Sequence, residues 1–199
     1  MLRRAADIVG AAVLLVLLSP ALLLGAAAVL IGSGRPAFFG HARLGRRGRV
    51  FRCWKLRTMC VEAEHDLQRR PTLHRAYVEN GFKLPNAADP RITTVGQLLR
   101  RTYIDEIPQL LNVLEGSMSL VGPRPIVPDE LTHYGRHADE LLAIKPGIVG
   151  AWTSRGRRRP DYPERARIEL EYVRHRTPGR DLAILARTVP VVLRGQGDA

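Results

Sequence analysis

At 199 residues the chain is long enough to bury one core without disulfide or metal staples. Its two cysteines, Cys53 and Cys60, exclude a disulfide framework and a four-ligand zinc site, which leaves reduced thiols as the expectation. A formal charge of +12 suits an anionic partner: nucleic acid, an acidic membrane face or a phosphorylated substrate.

The first element in chain order narrows that choice. Ile8 to Ile31 is a run of 24 residues without a charge, preceded by Arg3 and Arg4. As one helix it reaches across a hydrocarbon core of about 30 Å. A secretory signal peptide is the alternative, with Arg3 and Arg4 as its basic flank and Ala26–Ala28 as its cleavage site. The run is longer than the usual apolar segment of about 7–15 residues in such peptides. Ser19-Pro20 falls at its middle, and proline removes a backbone donor and clashes with the preceding turn, so a kink or break is expected there. Each half alone reaches only about 18 Å, too short to span. Two geometries follow: a kinked helix that crosses, or a helix-break-helix that enters one leaflet and returns. Composition alone favours the crossing helix. Basic residues on both flanks, Arg3 and Arg4 before and Arg35 after, are compatible with two cytoplasmic ends.

Residues 37–59 read as two short strands joined at Gly45-Arg46-Arg47-Gly48. Arg43, Arg46, Arg47, Arg49, Arg52, Lys55 and Arg57 make this segment a solvated basic edge or a surface for anionic lipid headgroups. Residues 61–80 look helical and polar, and Asn80–Asp89 a loop. A short helix is expected over 93–101 and a second from Asp105 to Glu115, where Ile107, Leu110, Leu111 and Leu114 share a face. Thr102 with Asp105 resembles a capping box, Pro108 suits the first turn, and Gly116 suits the stop. The apolar segment 181–194 packs in the core or rests on a bilayer, the core being favoured.

Adjacent carboxylates at a helix start, such as Asp105-Glu106, ordinarily serve as dipole groups worth about 0.3–1 kcal/mol each. The surroundings here point further. Arg100 and Arg101 lie just upstream, and Gly122-Pro123-Arg124-Pro125 follows, with two prolines restricting the backbone around Arg124. An immobilised guanidinium suits bidentate phosphate recognition. Carboxylates beside cations suit a divalent metal, or a nucleophile directed at phosphorus.

The run from Thr102 through Asp105-Glu106-Ile107-Pro108-Gln109, Asn112 and Gly116 to Gly122-Pro123-Arg124-Pro125 resembles the signature of the bacterial sugar transferases, the monotopic phosphoglycosyl transferases. Ser19-Pro20 within the apolar run, Lys55-Leu56-Arg57-Thr58-Met59, Lys145-Pro146-Gly147 to Gly150, and Asp181 to Gly195 agree in order and spacing, so the resemblance covers nearly the whole chain. It implies an α+β, predominantly helical fold: a re-entrant membrane helix-break-helix over 1–34, broken at Ser19-Pro20, and a single cytoplasmic domain over 35–199 with a short β-hairpin. It implies transfer of a sugar phosphate from a UDP-sugar to undecaprenyl or another polyprenyl phosphate, which begins surface glycan assembly. Asp105 is then the nucleophile and Glu106 its assistant through Mg²⁺, the two being the metal ligands. Arg124, flanked by Pro123 and Pro125, holds phosphate, with Arg100 and Lys55 as further phosphate-binding candidates. The implied location is the cytoplasmic face of the bacterial inner membrane, among membrane lipids, where a homodimer is possible.

Where the family commonly continues after its glycine with Trp, a small residue and Gln, this chain reads Ala151-Trp152-Thr153-Ser154-Arg155, a departure that bears on donor choice. It also motivates the alternative of a non-catalytic membrane-bound scaffold in a glycan pathway. Arg155 and Arg157–Arg159 read as a basic loop, and the six histidines show no metal-ligand spacing. With no recognised nucleic-acid motif, no nucleic-acid partner is expected.

Overall fold

The computed structural model describes residues 2–80, 84–152 and 160–194. Its first element, α1, is a single helix from Leu2 to Ser33 that is long and apolar enough to cross a membrane. It stays helical through Pro20, so the expected break into two helices does not occur. The reason lies one residue upstream. Pro20 has no N–H to offer the Val16 carbonyl, and the Ser19 hydroxyl donates to that oxygen instead, at 2.8 Å.

One side of α1 faces the rest of the protein along its length. Ala11, Gly25 and Val29 are buried, whereas Val9, Val16, Leu17, Leu24 and Ile31 are exposed. Both ends are tied down. Arg4 donates to the carbonyls of Val113 and Leu114 at 2.5 and 2.8 Å. Asp7 accepts from the Ser119 hydroxyl at 2.8 Å and the Leu120 amide at 3.0 Å. At the far end Arg57 donates to the carbonyls of Ser33, Gly34 and Pro36 at 2.6–2.9 Å. Ser33 ends α1, and Gly34 and Pro36 follow it, so Arg57, itself buried, caps the helix and the turn that leaves it and is no longer a candidate for lipid headgroups.

Strands β1 (Phe38–Leu44) and β2 (Val50–Leu56) pair antiparallel from Leu44↔Val50 to Phe38↔Leu56, as the sequence predicts. The turn between them is a 3₁₀ segment, Arg46–Gly48, with positive φ at Arg47 and Gly48. Pairing places Phe39, His41 and Arg43 on one face with Lys55, Cys53 and Phe51. The Asn112 amide acts as a substitute strand for β2: it accepts from the Trp54 amide at 2.9 Å and donates to the Arg52 carbonyl at 2.8 Å.

The polar segment after the hairpin is two helices, α2 (Ala63–Gln68) and α3 (Pro71–Glu79), because Pro71 has no N–H to continue the first. Helix α4 spans Thr94–Thr102 and is capped by Thr93, whose hydroxyl accepts from the Gly96 amide at 2.9 Å. Thr102 therefore does not form the predicted capping box. It ends α4, and its hydroxyl donates back to the carbonyls of Leu98 and Leu99. Tyr103 then takes a left-handed conformation with φ 57°, and Ile104–Glu106 make one 3₁₀ turn before α5 (Gln109–Glu115). The expected helix from Asp105 thus begins four residues later, and Gly116 stops it with φ 96°.

A second small sheet, unanticipated in the sequence, pairs β3 (Ser119–Val121) in parallel with β4 (Gly147–Val149). Its crossover carries a 3₁₀ stretch, Pro128–His137, and the short helix α6 (Ala138–Leu141). Helices α7 (Glu164–Arg174) and α8 (Pro178–Leu193) complete the fold. Helix α8 buries Ile184 and Val191 but exposes Leu182 and Val189, so the predicted core role holds for one face only. One core joins α1 to the hairpin and α5 through Ala11, Cys53, Ile107, Leu110, Val113 and Met118. Another joins the β3–β4 crossover to α7 through Ile126, Tyr134, Leu141, Ala166 and Leu170.

Candidate active site

The turn between α4 and α5 presents the two neighbouring carboxylates differently. Asp105 is only 5% exposed. Burial raises its carboxyl from 3.8 to about 6, Lys55 opposes the shift, Glu106 adds to it, and Arg100 opposes it. Glu106 accepts from the Lys55 ammonium at 2.6 Å, and this pair is partly open to solvent. Lys55 comes from β2, and Leu56 beside it packs with Leu99, Val29 and Ala37, so the strand is fixed against α4 and α1. Arg100 is held from two sides: its Nε donates to the Thr58 hydroxyl at 2.9 Å and one terminal nitrogen to the Asn86 side chain at 2.7 Å. Two cations therefore bear on one buried carboxylate that would otherwise pick up a proton near neutrality. Such an arrangement suits an oxygen nucleophile, which it would keep ionised, and would supply positive charge where a phosphoryl group gathers negative charge.

Arg124 sits elsewhere, on the segment after β3. The Gly122 amide donates to the Val149 carbonyl at 3.0 Å, and the Pro123 carbonyl accepts from the Gly147 amide at 2.9 Å, so the chain on its N-terminal side is pinned to β4. Pro123 and Pro125, read in the sequence as phosphate-site residues, hold the backbone, and the Pro125 carbonyl accepts from Arg43 at 3.5 Å. The Arg124 guanidinium lies 5.8 Å from the centre of the Trp152 ring. Arg43, on β1, is held below the usual arginine range by burial and then by the charge of Arg124. The buried Cys53 thiol feels Lys55, Glu106, Arg43 and Arg124 together. The hairpin face thus joins the carboxylate turn to the Arg124 segment. On the same face burial lowers the His41 imidazole to about 4, helped by Arg43 and Lys55, which leaves it neutral at ordinary pH.

The sequence reading missed the support behind Arg124. Glu169, 1% exposed on α7, accepts from the Arg124 amide at 3.3 Å and the Trp152 indole at 2.7 Å, and also from the Tyr134 hydroxyl. Glu130 accepts from Arg165 at 3.1 Å, the Val127 amide at 3.0 Å and Arg43 at 3.4 Å. The i, i+4 spacing of Arg165 and Glu169 is visible in the sequence, but their partners lie too far away along the chain to be read there. The run Thr153–Arg159, with its basic loop, lies outside the described residues, as does Gly195.

Among the described residues no three His, Cys, Asp or Glu side chains converge on a metal-sized site. Asp105 and Glu106 supply two carboxylates, a donor set of the kind that Mg²⁺ commonly uses before completing its octahedron with water and substrate phosphate oxygens, and such an ion would compete with Lys55 for Glu106.

The bacterial sugar transferase family model matches residues 1–195. The chain belongs to the bacterial sugar transferase family. Among its relatives is the undecaprenyl-phosphate galactose phosphotransferase of Salmonella typhimurium, 44% identical over 199 residues that cover 98% of this chain and 41% of that protein. The exopolysaccharide production protein ExoY of Rhizobium meliloti is 39% identical over 99% of this chain and 88% of its own length. The UDP-glucose:undecaprenyl-phosphate glucose-1-phosphate transferase of Caulobacter vibrioides is 38% identical over 96% of this chain and 69% of its own. The chain thus spans about two fifths of some relatives and nearly all of others. Within this transferase family frame, the carboxylate turn, Lys55, Arg100 and the Arg124 segment all lie inside the matched residues.

Proposed function

We propose that the protein is a phosphoglycosyl transferase that moves a sugar 1-phosphate from a UDP-sugar to undecaprenyl or a related polyprenyl phosphate, and so begins the assembly of a surface glycan. The observation that carries this reading is Asp105, a buried carboxylate presented on a turn between Lys55, Glu106 and Arg100. A carboxylate oxygen of Asp105 attacks the phosphorus that bears the sugar. The bond from that phosphorus to the bridging oxygen breaks, and UMP leaves. A phosphate oxygen of the polyprenyl phosphate then attacks the same phosphorus and breaks the aspartyl–phosphate bond. Asp105 returns as a carboxylate, and the product is a polyprenyl diphosphosugar.

Lys55 and Arg100 keep Asp105 ionised and face the charge that develops on the phosphoryl oxygens. Arg124, on its pinned backbone, holds a substrate phosphate. Mg²⁺ bound by Asp105 and Glu106 would neutralise diphosphate charge in the donor.

The docking of α1 supports a monotopic placement. A crossing helix would separate Arg4 and Asp7 from Ser33 by about 30 Å of hydrocarbon. Here both groups are hydrogen-bonded into one body that carries the carboxylate turn. The exposed apolar side of α1 then enters one leaflet, and the site stays on the cytoplasmic face of the membrane, where soluble donor and lipid acceptor meet. The test is UMP release by protein in nanodiscs with Mg²⁺, undecaprenyl phosphate and a panel of UDP-sugars. Turnover with a donor, abolished by Asp105→Ala, is the expected result. Turnover that survives this substitution would overturn the assignment of Asp105.

A further inference from the structure

We propose that Glu169 is a positioning residue for phosphate recognition, acting through Arg124 and Trp152. The inference rests on the reading of Arg124 as a phosphate ligand. Glu169 Oε1 accepts from two donors that define where the Arg124 guanidinium sits: the Arg124 amide, at 3.3 Å, and the Trp152 indole Nε1, at 2.7 Å. The first fixes the start of the side chain. The second fixes the ring over which its cationic end lies, 5.8 Å from the ring centre. Oε2 is held in turn by the Tyr134 hydroxyl. Arg165, one turn earlier on α7, lies 3.6 Å from Glu169 Oε1 and also covers the Trp152 ring at 5.3 Å. One carboxylate therefore sets both ends of Arg124.

The chemistry explains why a carboxylate is needed at this position. Its Oε1 takes two N–H donors and its Oε2 a hydroxyl, which is acceptor capacity that only an ionised group supplies without presenting a donor of its own. It is buried, so the charge needs compensation, and Arg165 provides it. A guanidinium aligned in this way binds a phosphate with less loss of side-chain freedom than one on a mobile loop, and the gain appears as ground-state and transition-state affinity for the phosphorylated substrate.

The experiment is steady-state kinetics with the active UDP-sugar on Glu169→Gln, Arg124→Ala and the double variant, with melting temperatures measured alongside. Glu169→Gln keeps shape but turns an acceptor into a donor. It is expected to raise KM for the donor by about tenfold and leave kcat within about threefold, the pattern of lost substrate binding. Because Glu169 acts through Arg124, the double variant should be within about twofold of Arg124→Ala alone, well short of the product of the two losses. Trp152→Phe leaves the Glu169 side chain in place and removes the indole donor together with part of the ring face that Arg124 covers. It should shift KM in the same direction, which keeps the proposal testable if Glu169→Gln folds poorly. Losses that multiply in the double variant, or an unchanged KM in a folded Glu169→Gln or Trp152→Phe protein, would overturn the positioning role. Full turnover in Arg124→Ala would instead overturn the reading of Arg124 on which the proposal rests.

Discussion

Burying Asp105 comes at a cost to folding. In the unfolded chain its carboxyl titrates near 3.8, and in the fold burial raises it to about 6. Between those values the folded state holds more proton than the unfolded state, so stability falls as pH rises through the window and the cost is fully present above it. Asp105→Asn removes the charge while keeping the shape. The expected outcome is no turnover, together with a melting temperature above wild type at pH 7.5 and a difference that disappears below pH 4. A melting temperature lowered at pH 7.5 would count against a strained, buried charge. The same shift predicts an acid limb near pH 6 in the pH–rate profile, since only the ionised carboxylate attacks phosphorus. Asn112 stabilises where Asp105 costs. Asn112→Ala leaves the Trp54 amide and Arg52 carbonyl without their partner, and chemical denaturation should register a loss of about 2–4 kcal/mol. Of these two, only Asp105 was singled out in the sequence, through the cations close to it along the chain. Asn112 and Glu169 were not, because each is defined by partners 17 to 60 residues away in the chain.

The elements that could be read in advance are those whose signals are local. The hairpin announces itself through alternation and a glycine-flanked turn, and the stop of α5 through Gly116. The corner between α4 and α5 could not be read in the same way. Thr102 and Asp105 satisfy a capping pattern in spacing, yet the left-handed Tyr103 takes the chain through a 3₁₀ turn, and the true cap, Thr93, belongs to the preceding helix. At Pro20 the helix does not break, and the hydroxyl that takes the place of the missing donor belongs to the neighbouring Ser19. Ser19→Ala should accordingly cost about 1 kcal/mol and change the bend of α1 at Pro20, which spin labels placed on either side of residue 20 would detect. Helix α4 also depends on Gly96. A Cβ there would lie 2.0 Å from the Thr58 carbonyl oxygen, on the backbone whose side chain holds Arg100. Gly96→Ala must push α4 away from that segment, with an expected loss of at least about 2 kcal/mol and a fall in turnover that exceeds the loss of folded protein.

At the scale of the molecule, α1 decides where the chemistry takes place. A helix of 32 residues with an apolar outer face has the length and composition of a span. Its ends behave otherwise, since Arg4 and Asp7 bond to α5 and β3 while Ser33 and Gly34 bond to Arg57 beyond β2. Between these anchors Gly25 lets α1 approach Ile104, the residue before Asp105, so closely that a Cβ would sit 2.9 Å from its side chain. Helix α1 is therefore part of the packing that sets the turn carrying Asp105. If α1 crossed the bilayer, the anchors at one end would be drawn out of the body they bind, and the loss of those charged hydrogen bonds would outweigh the gain from burying a few more apolar side chains. Cysteines introduced at Leu2 and Arg35, both exposed, in a protein lacking Cys53 and Cys60, report the outcome. An impermeant thiol reagent applied to right-side-out cells should label neither position, and applied to inverted vesicles should label both. Labelling of position 2 alone from outside would mean that α1 spans the membrane and that its N-terminal anchors do not form there.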